Sequence, residues 1–299
     1  YTRVVLRPRW GMAAFIGGLP CGRFHFMKRG VILTTAVHTL ASGSSGNALV
    51  LSCGDVHLLV DAGISCRRIE TGLRTLGLGL ADLSAVLITH THTDHVSGLR
   101  TLLRRTGISV YASGGAGRAL TCSLPEVRGR LEILEECRPV SLGQVAVTAF
   151  STCHDAPGAC GFRFDTPDGG VGVLTDTGYV TEEAADVLPG VSLAVLEANH
   201  DVETLCSGPY PYYLKRRILG DEGHLSNEDA ARFAVTLAEQ GAEEIVLAHL
   251  SRENNTPAMA RNAVEAALSA AGLSPALSVA PRDAVGQAHV VREASPCRG

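Results

Sequence analysis

Short apolar runs recur along the chain, separated by polar or glycine-containing turns. Residues 85–88, 171–174, 193–196 and 245–248 lack the polar alternation of a one-sided strand, so each predicts a strand buried on both faces. Segments 48–52 and 57–60 flank Cys53-Gly54-Asp55, a hairpin signal. Further strands are expected over 109–112 and 161–164, and in pieces between 131 and 147. Helical spacing governs the stretches between. Residues 65–76 set apolar positions against Arg67, Arg68 and Arg74 on a polar side. Segments 98–105, 115–120 and 181–188 follow as helices, the last opened by Thr181 and stopped by Pro189-Gly190. Ser226, with Asp229 three residues on, starts a helix over 227–240 that Gly241 ends, and Thr256-Pro257 starts another that Gly272 ends. No internal repeat is visible. The order of elements is one αβ half, then a second after His154.

Candidate chemistry sits where these strands end. Directly after 85–88 come His90, His92, Asp94 and His95, three imidazoles and a carboxylate on a turn between a strand and a helix. Open α/β layers place their sites at such ends, and these nitrogen and oxygen donors suit zinc and similar divalent ions. The alternate residues His90 and His92 can face one ion, while Asp94 and His95, one turn on, face a second. A solvated histidine-rich loop is the bland alternative, and the strand-turn-helix setting argues against it. This HxHxDH pattern resembles the first metal motif of the metallo-β-lactamase fold. The resemblance implies an α/β protein built as an αββα sandwich, two mixed sheets flanked by helices, with three more ligands at later strand ends. His154, Asp176 and His249 each follow an apolar run, in that order. One such residue alone would more often be structural; all three in the family's order mark ligands. Asp61, at the end of 57–60, takes the family role of an aspartate that orients the metal loop by hydrogen bonding.

Composition narrows the setting. A chain of 299 residues, 45% hydrophobic and 19% charged, is globular and holds one large α/β domain or two small ones. Its nine cysteines contain no CxxC pair, which suggests neither a disulfide framework nor a thiolate zinc site and fits a reducing cytoplasm. A net charge of −4 excludes a surface coated in basic groups for nucleic acid but leaves room for a local patch. No apolar run approaches the roughly 20 residues of a membrane span. Residues 1–36 mix Arg, Trp and Pro without periodicity. They read as a poorly ordered extension, with a true start at Met27 or near Val37, or an export signal, as the other readings. The hydrolase domain is expected over 37–299.

Several phrases sharpen the resemblance. SGSSGN at 42–47, DAGISCRRIE at 61–70, TDTGYV at 175–180, LEANHD at 196–201, GPYPYYLKRRIL at 208–219, GHLSN at 223–227 and AHLSRENNTP at 248–257 stand in this order. Together they resemble the YycJ (WalJ) group of cytoplasmic bacterial metallo-hydrolases. That group is associated with 5′ to 3′ exonuclease activity on DNA. The resemblance therefore implies a phosphodiesterase or nuclease with two zinc or manganese ions per chain, DNA as substrate and a cytoplasmic location. Two such ions can share a hydroxide and clamp a phosphodiester. The expected assignment is His90, His92 and His154 on one ion, Asp94, His95 and His249 on the other, and Asp176 between them.

Asp94 and His224 are the candidate catalytic residues. His224 precedes a capped helix N-terminus that favours an anion; matched to phosphodiesterase relatives, it would assist the leaving oxygen as an acid. Glu197 could orient His224, and His200 and Asp201 could support the site or touch substrate, with a structural reading standing beside these. Lys215, Arg216 and Arg217 adjoin Tyr210, Tyr212 and Tyr213. They combine cations for phosphates with rings for bases, or form only a solvated helix face. A small-molecule hydrolase (cyclic phosphodiesterase, lactonase or thioesterase) would use the same metals but has no need of that helix. A non-enzymatic scaffold fits poorly with seven ligands present. The 21 residues between His154 and Asp176 exclude the long substrate arm of tRNA-processing relatives there.

Overall fold

The computed structural model describes residues 34–292, so the extension expected over 1–36 lies outside the described residues except for its last three. One sheet runs in spatial order through β1 (Ala36–Ala41), β2 (Ala48–Cys53), β3 (Val56–Val60), β4 (Ala85–Ile88), β5 (Ser109–Ser113) and β6 (Leu131–Leu134). Its first three strands pair antiparallel and its last four parallel. The other sheet repeats the plan. There β7 (Val140–Leu142), β8 (Val145–Ser151), β9 (Cys160–Thr166) and β10 (Gly169–Leu174) pair antiparallel. Then β11 (Leu193–Glu197), β12 (Glu244–Ala248) and β13 (Ala276–Val279) continue parallel to β10. A two-residue strand, β14 (His289–Val290), returns to pair with β1.

Helices flank both sheets: α1 (Cys66–Thr75), α2 (Thr93–Val96), α3 (Leu99–Arg105) and α4 (Gly114–Ser123) in the first half. The second half carries α5 (Glu182–Val187), α6 (Val202–Ser207), α7 (Tyr212–Ile218), α8 (Asn227–Glu239) and α9 (Pro257–Ala270). The apolar runs have the two-sided burial that their pattern predicts. In β4, Ala85 and Leu87 pack between the sheets with Val147, Phe162 and Val173, while Val86 and Ile88 pack outward with Ile69, Leu99 and Leu102. In β12, Val246 and Ala248 face inward, and Ile245 and Leu247 meet Phe233, Leu237 and Val264 of α8 and α9. Helix starts follow the sequence signals. Ser65, Thr181, Ser226 and Thr256 each accept a backbone N–H three residues on, a bond whose loss costs about 1 kcal/mol.

The first sheet starts at Ala36, and Thr35 ahead of it is buried. Its backbone N–H and its hydroxyl both donate to Asp168 Oδ2 at 2.7 Å. A chain shortened to begin at Thr34 is expected to fold and bind metal as the full chain does. Beginning at Val37 instead removes both bonds, worth about 2 kcal/mol, and should lower the melting temperature by about 4–8 °C. Thermal melts and metal analysis of the two shortened chains check this; insolubility of the Thr34 chain would place residues 1–33 in the fold.

Candidate metal centre

Six strand ends deliver the site. Asp61 follows β3, the HxHxDH segment follows β4, His154 follows β8, Asp176 follows β10, Glu197 ends β11 and His249 follows β12. The chain turns tightly to reach it. Asp61, Asp176 and His249 hold φ of 60°, 59° and 55°, left-handed backbone that costs a residue with a Cβ about 1–3 kcal/mol and collects at functional sites. Gly63 lets the loop after β3 lie against the motif, because a Cβ there would stand 1.6 Å from Asp94 O.

The seven expected ligands meet. Donor atoms of His90, His92 and His154 lie within 4.8 Å of one another, as do those of Asp94, His95 and His249. Asp176 joins the two groups. Its Oδ1 is 3.4 Å from His249 Nε2 and 3.8 Å from His154 Nε2, and its Oδ2 is 3.3 Å from His95 Nε2. Asp94 Oδ2 stands 3.5 Å from His95 Nε2 and 3.6 Å from His249 Nε2.

The rings are held from behind. His95 Nδ1–H donates to Asp61 Oδ2 at 2.8 Å, His249 Nδ1–H to Glu197 Oε1 at 2.8 Å, and His154 Nδ1–H to Gly223 O at 3.0 Å. The Thr89 hydroxyl donates to Asp61 Oδ2 and lies 3.1 Å from His90 Nδ1, whose N–H it accepts. These bonds fix each tautomer and leave Nε2 as the inward donor, the outer support that ligand histidines require. Both oxygens of Asp61 are spent on Thr89 and His95, the bonding that an orienting carboxylate needs.

What remains inside fits divalent ions. His90 Nε2, His249 Nε2 and Asp176 Oδ2 are buried without a hydrogen-bond partner, an arrangement that is costly unless something coordinates them. His92 Nδ1 and His154 Nε2 also face each other at 3.2 Å, two ring nitrogens aimed at one point. The electrostatics agree. Burial and the charge of His95 push His90 down to about 2. Burial would also lower His95, but Asp176 and Asp61 outweigh it and raise that ring to about 10. His249 is likewise raised against burial by Asp176, Asp94 and Glu197. Asp176, which burial alone would raise, is held well below the carboxylate range by His249 and His95. In the metal-free chain, protons on His95 and His249 supply positive charge that an ion would bring.

The remaining candidates divide. His224 joins the cluster: its Nδ1–H donates to Glu197 Oε1 at 2.8 Å, and Nδ1 is 3.7 Å from Asp176 Oδ1. Glu197 is fully buried; its Oε2 accepts backbone N–H groups of Thr177 and Leu225. His224 and His249 hold it down at about 2, against a burial effect that would raise it. His200 is buried with both ring nitrogens unpartnered, and burial lowers it to about 4. Asp201 does not reach the cluster by hydrogen bond; it caps α6, accepting from the Thr204 N–H and hydroxyl. The three cations of α7 separate as well. Lys215 Nζ donates to Cys206 O, Arg217 Nε to Asp155, and Arg216 makes no hydrogen bond or ion pair with the described residues.

Sequence reasoning missed three polar residues. Asn47 Nδ2 lies 3.0 Å from His95 Nε2, Asn199 Nδ2 donates to His249 O at 2.9 Å, and Asp155 Oδ1 stands 3.5 Å from both His92 Nε2 and His154 Nε2. The quoted SGSSGN and LEANHD phrases contain the first two, and Asp155 directly follows His154. Beside the cluster, His154, His224, Tyr210, Leu214, Arg217 and Ile218 line part of a cleft of about 190 Å³.

Two mixed sheets with flanking helices, carrying a histidine and aspartate cluster able to hold divalent metal at the strand ends, make this a metallo-β-lactamase-fold protein. The chain belongs to the beta-lactamase superfamily, whose domain, "Beta-lactamase superfamily domain", matches residues 57–250. It is 39% identical over 226 residues to exodeoxyribonuclease WalJ of Streptococcus pneumoniae serotype 2, covering 74% of this chain and 83% of that relative. It is 35% identical over 258 residues to exodeoxyribonuclease YycJ of Bacillus anthracis, covering 86% and 94%. The metallo-β-lactamase-fold protein YhfI of Bacillus subtilis superposes with a TM-score of 0.66 at 17% identity, over 86% of this chain and all of that one, a likeness of fold.

Proposed function

We propose that the chain is a metal-dependent phosphodiesterase that degrades DNA as an exonuclease, with 5′ to 3′ as the proposed direction. One observation carries the reading: a full ligand cluster sits in a chain that aligns along most of its length with two exodeoxyribonucleases. In this reading His90, His92 and His154 hold one ion, Asp94, His95 and His249 the other, and Asp176 stands between. Zinc or manganese suits this set of donors. When bound, the ions supply Lewis acidity at a phosphate. The side chains supply the rest. His224, with Nδ1 held by Glu197, keeps Nε2 free for the cleft and for proton delivery to the departing oxygen. Asp94 stays ionised because His249 and His95 outweigh its burial, so it can accept a hydrogen bond from attacking water.

The α7 face supports a nucleic acid. Tyr212 and Tyr213 are 75% and 74% exposed, open to stacking on bases, and Arg216 is exposed beside them. Among the described residues no helix is long and apolar enough to cross a membrane, and a cytoplasmic site of action goes with the nuclease reading. The test is cleavage of end-labelled single- and double-stranded DNA and RNA, with each metal, beside bis(p-nitrophenyl) phosphate. Replacing Lys215 and Arg216 together by Gln should shallow the salt dependence of DNA binding by up to about two units, one per lost phosphate contact. An unchanged slope would make α7 a solvated face and favour a small-molecule phosphodiesterase.

A further inference from the structure

The aspartate that follows His154 has no part in the reading above, yet it stands beside two histidines of the first ion position, on the outer nitrogen of one of them. Asp155 Oδ1 stands 3.5 Å from His92 Nε2 and 3.5 Å from His154 Nε2. Since His92 turns Nδ1 toward His154 Nε2, the nitrogen that meets Asp155 is its outer one. A carboxylate there settles the tautomer and tilt of the ring. Asp61 and Glu197 hold the outer nitrogens of His95 and His249 more closely, at 2.8 Å.

The second oxygen of Asp155 accepts from Arg217 Nε at 2.5 Å. An exposed aspartate-arginine pair is ordinarily worth little to stability, but this one borders the cleft beside the cluster. Arg217 lines the cleft together with His154 and His224. Its two terminal nitrogens make no hydrogen bond or ion pair with the described residues, and its side chain is 53% exposed. A guanidinium pinned at Nε and open at its fork suits a ligand that offers two oxygens at once, as a phosphate does.

We propose that Asp155 positions His92 and, through its other oxygen, anchors Arg217 as the residue that binds the substrate's phosphate beside the metal centre. Ring orientation and anion capture then share one carboxylate, which ties α7 to the first ion position. The identity of the anion rests on the phosphodiester reading; the orientation of His92 does not.

The test uses the full chain with zinc and the variants Asp155→Ala, Asp155→Asn, Arg217→Gln and Arg217→Lys, each checked by thermal melt. Zinc affinity is read by chelator competition, and anion binding by inhibition with inorganic phosphate and by KM for bis(p-nitrophenyl) phosphate. Asp155→Ala should weaken one zinc by about 10- to 100-fold. Asp155→Asn should weaken it less, because the carboxamide oxygen still accepts from His92. Arg217→Gln should hold zinc within a few-fold but weaken phosphate inhibition and raise KM by roughly 10-fold or more, with Arg217→Lys recovering part, as a charge without the fork. Unchanged zinc affinity in both Asp155 variants would overturn the positioning role. Unchanged phosphate inhibition in Arg217→Gln, with any loss confined to kcat, would overturn the anion role. None of these readouts uses DNA, so failure of the nuclease reading would show separately, on the oligonucleotides.

Discussion

Asp176→Ala is expected to remove metal and turnover together, and more completely than the roughly 10- to 100-fold loss typical of an outer-sphere partner. The side chain is 2% exposed and stands within 3.8 Å of ring nitrogens from three ligand histidines. No single neighbouring carboxylate takes its place: Asp94 reaches only His95 and His249, Asp155 only His92 and His154, and Glu197 holds the outer sides of His224 and His249. Proton linkage gives a second readout. His95 at about 10, and His249 raised with it, carry protons at neutral pH that an ion must displace. Zinc affinity of the parent should therefore rise with pH by about tenfold per unit for each proton released, and level off as pH passes the raised values. Asp176 is the chief carboxylate raising both rings, so the variant should show a flatter slope as well as weaker binding. Zinc titrations at two pH values, with protons counted in two buffers, measure this. A variant that keeps the parent's metal content would remove Asp176 from the proposed ligand set.

How much of this was legible in the sequence depended on the range over which each residue acts. The HxHxDH residues are contiguous and follow a run whose two-sided burial marks a central strand, so pattern alone singled them out as candidates. His154, Asp176 and His249 are single residues, but each sits just beyond a strand of the same kind. Asn47 was hidden because it meets its partner Asp94 from 47 positions away, and nothing local in SGSSGN says which residue points at the metal loop. Asp201 reads either way in the sequence. A short side chain that could reach a site can also satisfy the free N–H groups of the next helix, and here the local bond prevails. The run Lys215-Arg216-Arg217 looked like one cationic patch. On a helix, successive side chains diverge by about 100°, so one reaches back to Cys206, one faces solvent and one enters the cleft. Strands β13 and β14 are short, partly exposed edges with no apolar signature strong enough to predict.

His224→Ala is expected to keep the parent's metal content and lose turnover on DNA by about 10²- to 10⁴-fold, the range for positioned acid-base help. The side chain is 18% exposed at the cleft, and its Nδ1 is committed to a fully buried carboxylate. Its free nitrogen is therefore Nε2, on the side open to a ligand. Glu197 holds His224 and His249 by the same oxygen, so the acid is registered to a metal ligand through a single atom. Leaving-group strength separates this role from metal binding. A p-nitrophenolate departs without much help from an acid, whereas a deoxyribose oxygen needs a proton as it leaves. The variant should accordingly lose far less on bis(p-nitrophenyl) phosphate than on DNA, while metal analysis finds the parent content. Equal losses on both substrates, together with lost metal, would put His224 on the metal, where a ring nitrogen already lies within 4.8 Å of donor atoms of Asp176 and His249.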